Sequence, residues 1–504
     1  MKSISVSRNV LFGFLSWFLP LGFTFALTPL IVRRLGADAY GLYALVMGFI
    51  GYSFNFSIGR AITKYVSAFR ASNQTERIGE VLSSTFILNL CVSLLSAAAL
   101  VLMTDWLVTR VLNIAPHLQT QARVAFYLAS AGLIFTMLSQ VFNAVPQAAQ
   151  RFDIYSLIAT SAGIATIVGN GLLVWTGFGV NALIAWNVAA TALACVAYFV
   201  AARLLLPEAR LTLRIKRDLL VGILKFSSAV TAYQIMANLL LLFERSWLTR
   251  SLGTSAVTYY VVPMTIAVYI HAFISSLTLM IFPMASEAGA RADTERLRMI
   301  YTRAFKYISM LVMFLSITLA VGSRPLLSNW MGADFARSSA GVLAVQAVVL
   351  GLMAMLIVPW QLADGLGFPG SNALLGLWWL VASVLLAIFL TPRLGIMGMA
   401  YSRLLPMLVT PLYILYVERR AFGHNLWRFW RRACLSLMVA GGATALIEAL
   451  LFRSLPDGWL WLAVSIGMGG LVFWGLLIVT RYMDDDEQQW LRRFFARAVA
   501  ITPG

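Results

Sequence analysis

Charge and catalytic side chains are scarce in this chain. Only 12% of its 504 residues are charged, with twenty acidic residues, three histidines and three cysteines. Cys91, Cys195 and Cys434 all fall inside apolar runs, where cysteine behaves as a small hydrophobe. That excludes a disulfide framework and leaves no zinc spacing. No glycine-rich phosphate cradle, metal-spaced His/Cys/Asp cluster or nucleophile with its base is present, which argues against an enzyme, a bound metal or a cofactor. A nucleotide-driven pump lacks its nucleotide module. No loop on the outer side exceeds about twenty residues, too short for an extramembrane catalytic domain.

What the chain has instead is hydrophobicity, at 60% of residues. Runs of about 20 apolar residues, enough to cross a hydrocarbon core roughly 30 Å thick, recur throughout. We count about fourteen candidate spans, near 9–32, 41–59, 81–103, 122–145, 154–176, 180–202, 220–243, 256–282, 304–323, 340–363, 371–391, 395–417, 433–452 and 458–480. The first is too long for a signal-peptide core and has no cleavage site after it, so it reads as a retained span. The formal net charge of +18 raises the question of nucleic acid, but its placement answers it. With the N-terminus inside, 26 of the 38 basic residues fall in cytoplasmic segments and 10 outside, with Lys225 and Arg403 left within spans. This is the positive-inside rule: both termini face the cytoplasm, and no nucleic-acid partner is implied.

A pattern also occurs twice. Leu35-Gly36-Ala37-Asp38-Ala39-Tyr40-Gly41-Leu42-Tyr43 returns 217 residues later as Leu252-Gly253-Thr254-Ser255-Ala256-Val257-Thr258-Tyr259-Tyr260. Thr75-Glu76-Arg77 answers to Thr294-Glu295-Arg296, and Val145-Pro146-Gln147 to Val358-Pro359-Trp360-Gln361. An even number of crossings separates the copies, so the repeats are parallel, and transporters built from two halves place their substrate path between them. The expected organisation is an N-terminal lobe over 1–203, a basic cytoplasmic linker over 204–218, a C-terminal lobe over 219–420, and an appended pair of spans with a tail over 421–504. The tail carries Asp484-Asp485-Asp486-Glu487 and an amphipathic stretch with Trp490, Phe494 and Phe495, expected to lie on the cytoplasmic surface. The fold class is thus an all-α integral membrane protein, two six-helix lobes around a central cavity plus two extra C-terminal helices.

The stretch from Thr28-Pro29-Leu30 through Arg33-Arg34-Leu35-Gly36 to Tyr43 resembles the opening of Wzx-type polysaccharide flippases. Their superfamily also holds multidrug-and-toxin extruders and the peptidoglycan-precursor flippase. Phe243-Glu244-Arg245 through Tyr260, Phe282-Pro283-Met284-Ala285-Ser286-Glu287 and Asn329-Trp330-Met331-Gly332-Ala333-Asp334-Phe335 are similar to further segments of that family, in the right order. The resemblance covers roughly residues 5–420. It implies a V-shaped bundle that moves a lipid-linked oligosaccharide from inner to outer leaflet. Drug-exporting members rely on acidic residues inside their first span; residues 9–32 contain none.

Such a protein must carry a diphosphate headgroup past hydrocarbon, at an idealised cost of order 20 kcal/mol for one such charge, so polar stripes within spans are the candidate site. In span two, Ser53, Ser57, Arg60 and Lys64 lie within about 60° of one another. Arg60 suits a forked grip on phosphate and Lys64 a point charge; the competing reading is that both snorkel to the interface. Span seven offers Ser227, Thr231, Gln234, Asn238 and Arg245 on one face, suited to sugar hydroxyls or to interhelical hydrogen bonding. Lys225 stands off that stripe as an interfacial anchor. Arg403 lies about 12 Å inside span twelve. Intramembrane arginines mark pathways or pair with a buried acid, here Glu448. His271 is the one histidine near mid-span, read as a hydrogen-bonded group before a proton carrier. Pro20 and Pro263 are candidate kinks.

The expected partners are a lipid-linked oligosaccharide of the polyprenyl-diphosphate type, membrane lipids, and a polymerase or glycosyltransferases of the same pathway. Two other readings stay open: an ion-coupled multidrug exporter of the same superfamily, and a membrane-embedded polysaccharide polymerase or ligase, against which the short outer loops count.

Overall fold

The computed structural model describes residues 6–52, 58–72, 74–207, 216–278, 281–291 and 293–482. The acidic tail segment and its aromatic stretch, and Ser53 and Ser57, lie outside these residues. Among the described residues the chain is helical throughout, with no strand. Eleven helices, or runs of consecutive helices, are long and apolar enough to cross a membrane among the described residues. Each lies on one of the expected spans. The other three spans correspond to α1 (Val6–Leu35), to α2 (Ala37–Tyr52) with α3 (Ile58–Ala71), and to α8 (Arg217–Leu252).

Between these come α4 (Thr75–Trp106), α5 (Pro116–Ala148), α6 (Phe152–Trp175) and α7 (Val180–Leu205). They are followed by α9 (Thr254–Leu277), α10 (Ile281–Ala290), α11 (Thr294–Val321), α12 (Ser323–Met331), α13 (Ala333–Met355), α14 (Ile357–Gly365), α15 (Gly370–Leu394), α16 (Ile396–Leu404), α17 (Thr410–Phe422), α18 (Trp427–Ser454) and α19 (Trp459–Val479). α1 and α9 run through Pro20 and Pro263.

The repeat is written into the backbone. Gly36 and Gly253, 217 residues apart, both take a positive φ (84° and 88°) between one helix and the next. Gln150 and Gly367 repeat this at the same offset with φ of 57° and 81°, and Gly177 and Gly395 follow at 218. A left-handed residue ends a helix without a Cβ clash, so glycine occupies five of these six positions. The final tyrosines of the two motif copies also share a task. Tyr43 Oη accepts from the side-chain amides of Asn170 (3.1 Å) and Asn187 (3.2 Å), and Tyr260 Oη accepts from Gln346 Nε2 at 2.8 Å. Buried amides need such partners in hydrocarbon surroundings.

By packing, the chain divides into two compact units, Met1–Thr258 with Val384–Met399, and Tyr259–Ser383 with Ala400–Gly504. This division groups helices by contact, whereas the repeat groups them by sequence; α8 packs on α2, α3 and α4 in the first unit. Two large apolar clusters lie in the core of that unit. One gathers Ile62, Val66, Ile78, Val141 and Tyr198, the other Leu42, Leu45, Leu112, Phe126 and Ile184. In the second unit the largest cluster joins Ile274, Tyr301, Phe305, Val358, Val417 and Phe422, and a smaller one joins Met310, Leu437 and Phe473.

The N-terminal turns of α2 and α9 dock directly on each other within the first unit, so the two motif copies meet. Asp38 Oδ1 accepts from Thr254 Oγ1 (3.0 Å) and the Ser255 amide (3.1 Å), and Thr258 Oγ1 donates to the Ala37 carbonyl at 2.6 Å. Gly41 permits this approach: a methyl added there would overlap the Thr254 carbonyl oxygen, whereas nothing lies near a Cβ at Gly36. We therefore expect Gly41→Ala to lower the melting temperature of the purified protein well beyond Gly36→Ala. The latter carries only the left-handed strain of about 1–2 kcal/mol. Equal shifts in a thermal scan would refute the close packing.

Candidate functional site

The first unit holds the span-two and span-seven residues. α3 shows why Lys64 faces outward. Ala61, Ile62 and Val66 are fully buried in the core. Gly59, Thr63 and Ser67, one turn apart, face α5: Thr63 and Ser67 reach the Ala144 and Ala148 carbonyls at 3.5 and 3.3 Å, and Gly59 packs beside the Gln140 carbonyl. Small and hydroxyl side chains let two membrane helices come close. Lys64 is left exposed on the far side of α3 from Ile62 and Val66, its Nζ 5.9 Å from the Tyr65 ring centroid. Arg60, one turn earlier, shares that face by helical position; its side chain is not among those described.

On α8, Gln234 Nε2 donates to Asn238 Oδ1 at 3.1 Å, so two members of the expected stripe bond to each other. Asn238 is buried and Gln234 half-buried. The side chains of Thr231, Ser227 and Lys225 are outside the described set. Arg245, at the far end of the stripe, turns toward α2. Its Nη1 donates to the Ala44 carbonyl (2.9 Å), its Nη2 lies 3.4 Å from Tyr52 Oη, and its guanidinium stands 4.8 Å from the Tyr52 ring centroid. Gly48 makes room, since a Cβ there would fall 2.6 Å from Arg245 Nη1. Arg250 likewise donates to the Arg110 and Val111 carbonyls, 2.6 and 2.9 Å away, at the π turn that ends α4. A helical wheel places a side chain on a face but does not say which neighbouring carbonyl it meets. The signal for this was the small residue Gly48 opposite.

The second unit holds Arg403, and its backbone there is irregular. The twelfth span is not one helix but α16, a 3₁₀ segment over Leu405–Val409 that includes Pro406, and α17 beginning at Thr410-Pro411. Proline removes an amide donor and blocks a regular α turn, and the break falls directly after Arg403. Trp378 Nε1 donates to the freed Pro406 carbonyl at 3.2 Å. Interrupted helices at membrane depth occur where protein or water satisfies the backbone. Arg403 is 7% exposed, and its Nη1 lies 3.8 Å from the Met264 sulfur of α9, next to Pro263. His271, one of the half-buried residues of α9, has its Nδ1 3.5 Å from Ser275 Oγ. The expected acidic partner has other company: Glu448 Oε1 accepts from Thr318 Oγ1 at 2.8 Å, and α19 passes so close that Gly469 has no room for a Cβ.

One acid was not singled out by the sequence. Glu418 is fully buried near the end of α17 and accepts from Tyr301 Oη (3.1 Å), Trp430 Nε1 (2.6 Å) and the Leu426 amide (3.0 Å). It joins α11, α17 and the start of α18. Nearby, Asn372 donates to Asp364 Oδ1 and the Trp360 carbonyl and accepts from Tyr413. Among the described residues no group of three or more His, Cys, Asp or Glu is placed to hold a metal ion.

The arrangement offers cations and neutral hydrogen-bonding groups on apolar helices, means to receive an anionic, hydroxyl-rich group in a membrane. Comparison with known proteins agrees in fold. The structure is similar to one described as the lipid II flippase MurJ in an inward closed conformation, with a TM-score of 0.69 over 94% of this chain and 99% of that one, at 14% identity. It is also similar to an inward-facing multidrug resistance MATE family transporter of the MOP superfamily, with a TM-score of 0.63 over 84% of this chain and 96% of that one, at 16% identity. In sequence, the chain is 20% identical over 422 residues to a Shigella flexneri protein named "Putative O-antigen transporter", covering 83% of this chain and 98% of that protein. It is 22% identical to the Bacillus subtilis (strain 168) "Uncharacterized membrane protein EpsK", covering 98% of each. The family described as "Polysaccharide biosynthesis protein" matches residues 30–340, a stretch that contains both copies of the repeated motif, and to that family this multi-pass membrane protein belongs.

Proposed function

We propose that this protein is a non-enzymatic flippase. It moves a polyprenyl-diphosphate-linked oligosaccharide from the cytoplasmic to the outer leaflet of the bacterial inner membrane, by alternating access, for surface polysaccharide synthesis. The observation that carries the reading is Arg403, a buried arginine at a broken membrane helix in a chain of the polysaccharide biosynthesis family. Arginines at such depth face a protein interior or a wet cavity and mark a pathway. Arg60 and Lys64 act on the diphosphate at the cytoplasmic end, and Ser53, Ser57, Thr231, Gln234 and Asn238 on sugar hydroxyls. Arg245, bound to the α2 main chain, keeps α8 and α2 in register beside that stripe. Both termini face the cytoplasm, and the two repeats, over 1–203 and 219–420, are the working halves. The 204–218 linker joins them, and residues 421–504 add the last two spans. The Shigella relative, named for O-antigen transport, and the lipid II flippase of similar fold support this substrate class. A polymerase or glycosyltransferases of the same pathway would supply and consume the substrate.

The deciding experiment is the sidedness of lipid-linked oligosaccharide in cells lacking this protein. Precursor held on the cytoplasmic leaflet and released by the wild-type gene is the expected result. Normal sidedness in a strain without a second flippase, with loss of drug efflux instead, would move the chain to the exporter reading that the shared MATE fold allows. A membrane potential negative inside favours outward passage of an anionic headgroup by about 2.3 kcal/mol per charge per 100 mV. In vesicles, dissipating the potential is therefore expected to lower the outward-to-inward ratio; an unchanged ratio would remove the potential as a driving force.

A further inference from the structure

The start of α11, the start of α18 and Tyr482, three residues beyond α19, enclose a cleft of about 500 Å³ within the second unit. Four cations line it: Arg298, Arg303 and Lys306 from α11 and Arg428 from α18. Among the described residues Glu295 is the single acid in its wall. Beside it, Arg291 and Arg296 share the Glu287 carboxylate at 3.0 and 3.6 Å. Tyr482 fixes one wall: its hydroxyl donates to the Lys306 carbonyl at 3.0 Å, and Lys306 Nζ lies 5.8 Å from its ring centroid.

We propose that this cleft is a binding site for the phosphate headgroup of an anionic phospholipid, separate from the path of the transported substrate. Forked arginines and an ammonium suit a phosphodiester. The depth suits a lipid in place, because the cleft opens where two apolar helices begin and a third has just ended, the level at which headgroups lie. Below it the apolar flank of α18 continues outward through Leu435 and Met438, 66% and 67% exposed, a surface for acyl chains. Basic pockets between membrane helices on the cytoplasmic side hold acidic headgroups by this combination. Placement of the cations inside by charge alone would scatter them around the helices. Here three lie on adjoining turns of one helix and the fourth faces them from another.

The test uses the full-length protein, stripped of lipid in detergent and examined by native mass spectrometry with added phosphatidylglycerol, phosphatidylcholine or inorganic phosphate. The expected result is one phosphatidylglycerol retained about tenfold or more in preference to phosphatidylcholine. That preference should be lost in Arg298→Gln/Arg303→Gln/Lys306→Gln/Arg428→Gln and kept in Arg203→Gln/Arg210→Gln/Arg214→Gln/Arg217→Gln, which removes equal charge elsewhere. Thermal scans without lipid check that each variant is folded, and the double variant Arg303→Gln/Arg428→Gln gives the same comparison with less disturbance. Equal retention in the cleft variant and the wild type, or equal loss in both quadruple variants, would overturn the proposal. So would uptake of inorganic phosphate without lipid preference. Uptake of phosphatidylglycerol only after Asp484→Asn/Asp485→Asn/Asp486→Asn/Glu487→Gln would overturn it too, by showing that the acidic segment fills the cleft.

Discussion

Replacing Arg403 with alanine should leave lipid-linked oligosaccharide on the cytoplasmic leaflet, with outward movement reduced by about 100-fold. The size follows from the cost of charge in the membrane. A charged group at the bilayer centre is penalised by about 3 kcal/mol even on the mildest scales, and an anionic headgroup that loses its cationic partner there meets a barrier raised by a similar amount. Each 1.36 kcal/mol is a factor of ten in rate, hence about 100-fold. Arg403→Lys should recover part of the flux, because charge returns without the planar fork. The variant Arg60→Ala/Lys64→Ala should slow capture from the cytoplasmic side and raise the substrate concentration needed for half-maximal flux. The triple change Arg60→Ala/Lys64→Ala/Arg403→Ala should fail to complement a deletion strain. Sidedness assays on protein shown to reach the membrane separate these effects from misfolding. Full complementation by Arg403→Ala would sink the cationic path.

The second large effect is structural. Glu418→Ala should destabilise the detergent-purified protein by about 3 kcal/mol or more, because two buried donors and the half-buried Trp430 Nε1 lose their only described acceptor atoms at once. Tyr301 Oη, Trp430 Nε1 and the Leu426 amide come from three elements, so the loss loosens the α17–α18 connection against α11. A fall of roughly 3 °C or more in melting temperature is expected. Glu418→Gln, which keeps one carbonyl oxygen, should fall about half as far. The exposed neighbour Arg419→Ala gives the baseline. If Glu418→Ala melts with Arg419→Ala, the three hydrogen bonds do not hold this corner.

These two residues show what could and could not be read in advance. Arg403 stands out in sequence because a lone arginine inside an apolar run is rare. What surrounds it was not legible: the 3₁₀ segment follows from Pro406 and Pro411 acting on one turn, and the Met264 contact comes from a helix 139 residues earlier. Glu418 passed unnoticed because it sits beside Arg419 and Arg420, where a short charged run reads as a solvated helix end. Its three donors are brought to it from up to 117 residues away in sequence. Arg245 taught the same lesson. Expected on the α8 stripe, its guanidinium lies on the α2 main chain.

The sequence by itself determined the membrane class, the positions of the apolar spans and the two-copy organisation, down to left-handed residues 217 apart. Those properties depend on apolar length and on local backbone sterics, which each segment carries in its own residues. The tertiary structure alone decided that the two motif copies dock on each other through Asp38 and Gly41, that spans ten and twelve divide into shorter helices, and that four scattered basic residues converge on one cleft. Such contacts join helices distant in the chain. In a bilayer every lipid-facing surface is equally apolar, so hydropathy marks where a helix lies but carries no information about which neighbour its polar atoms meet.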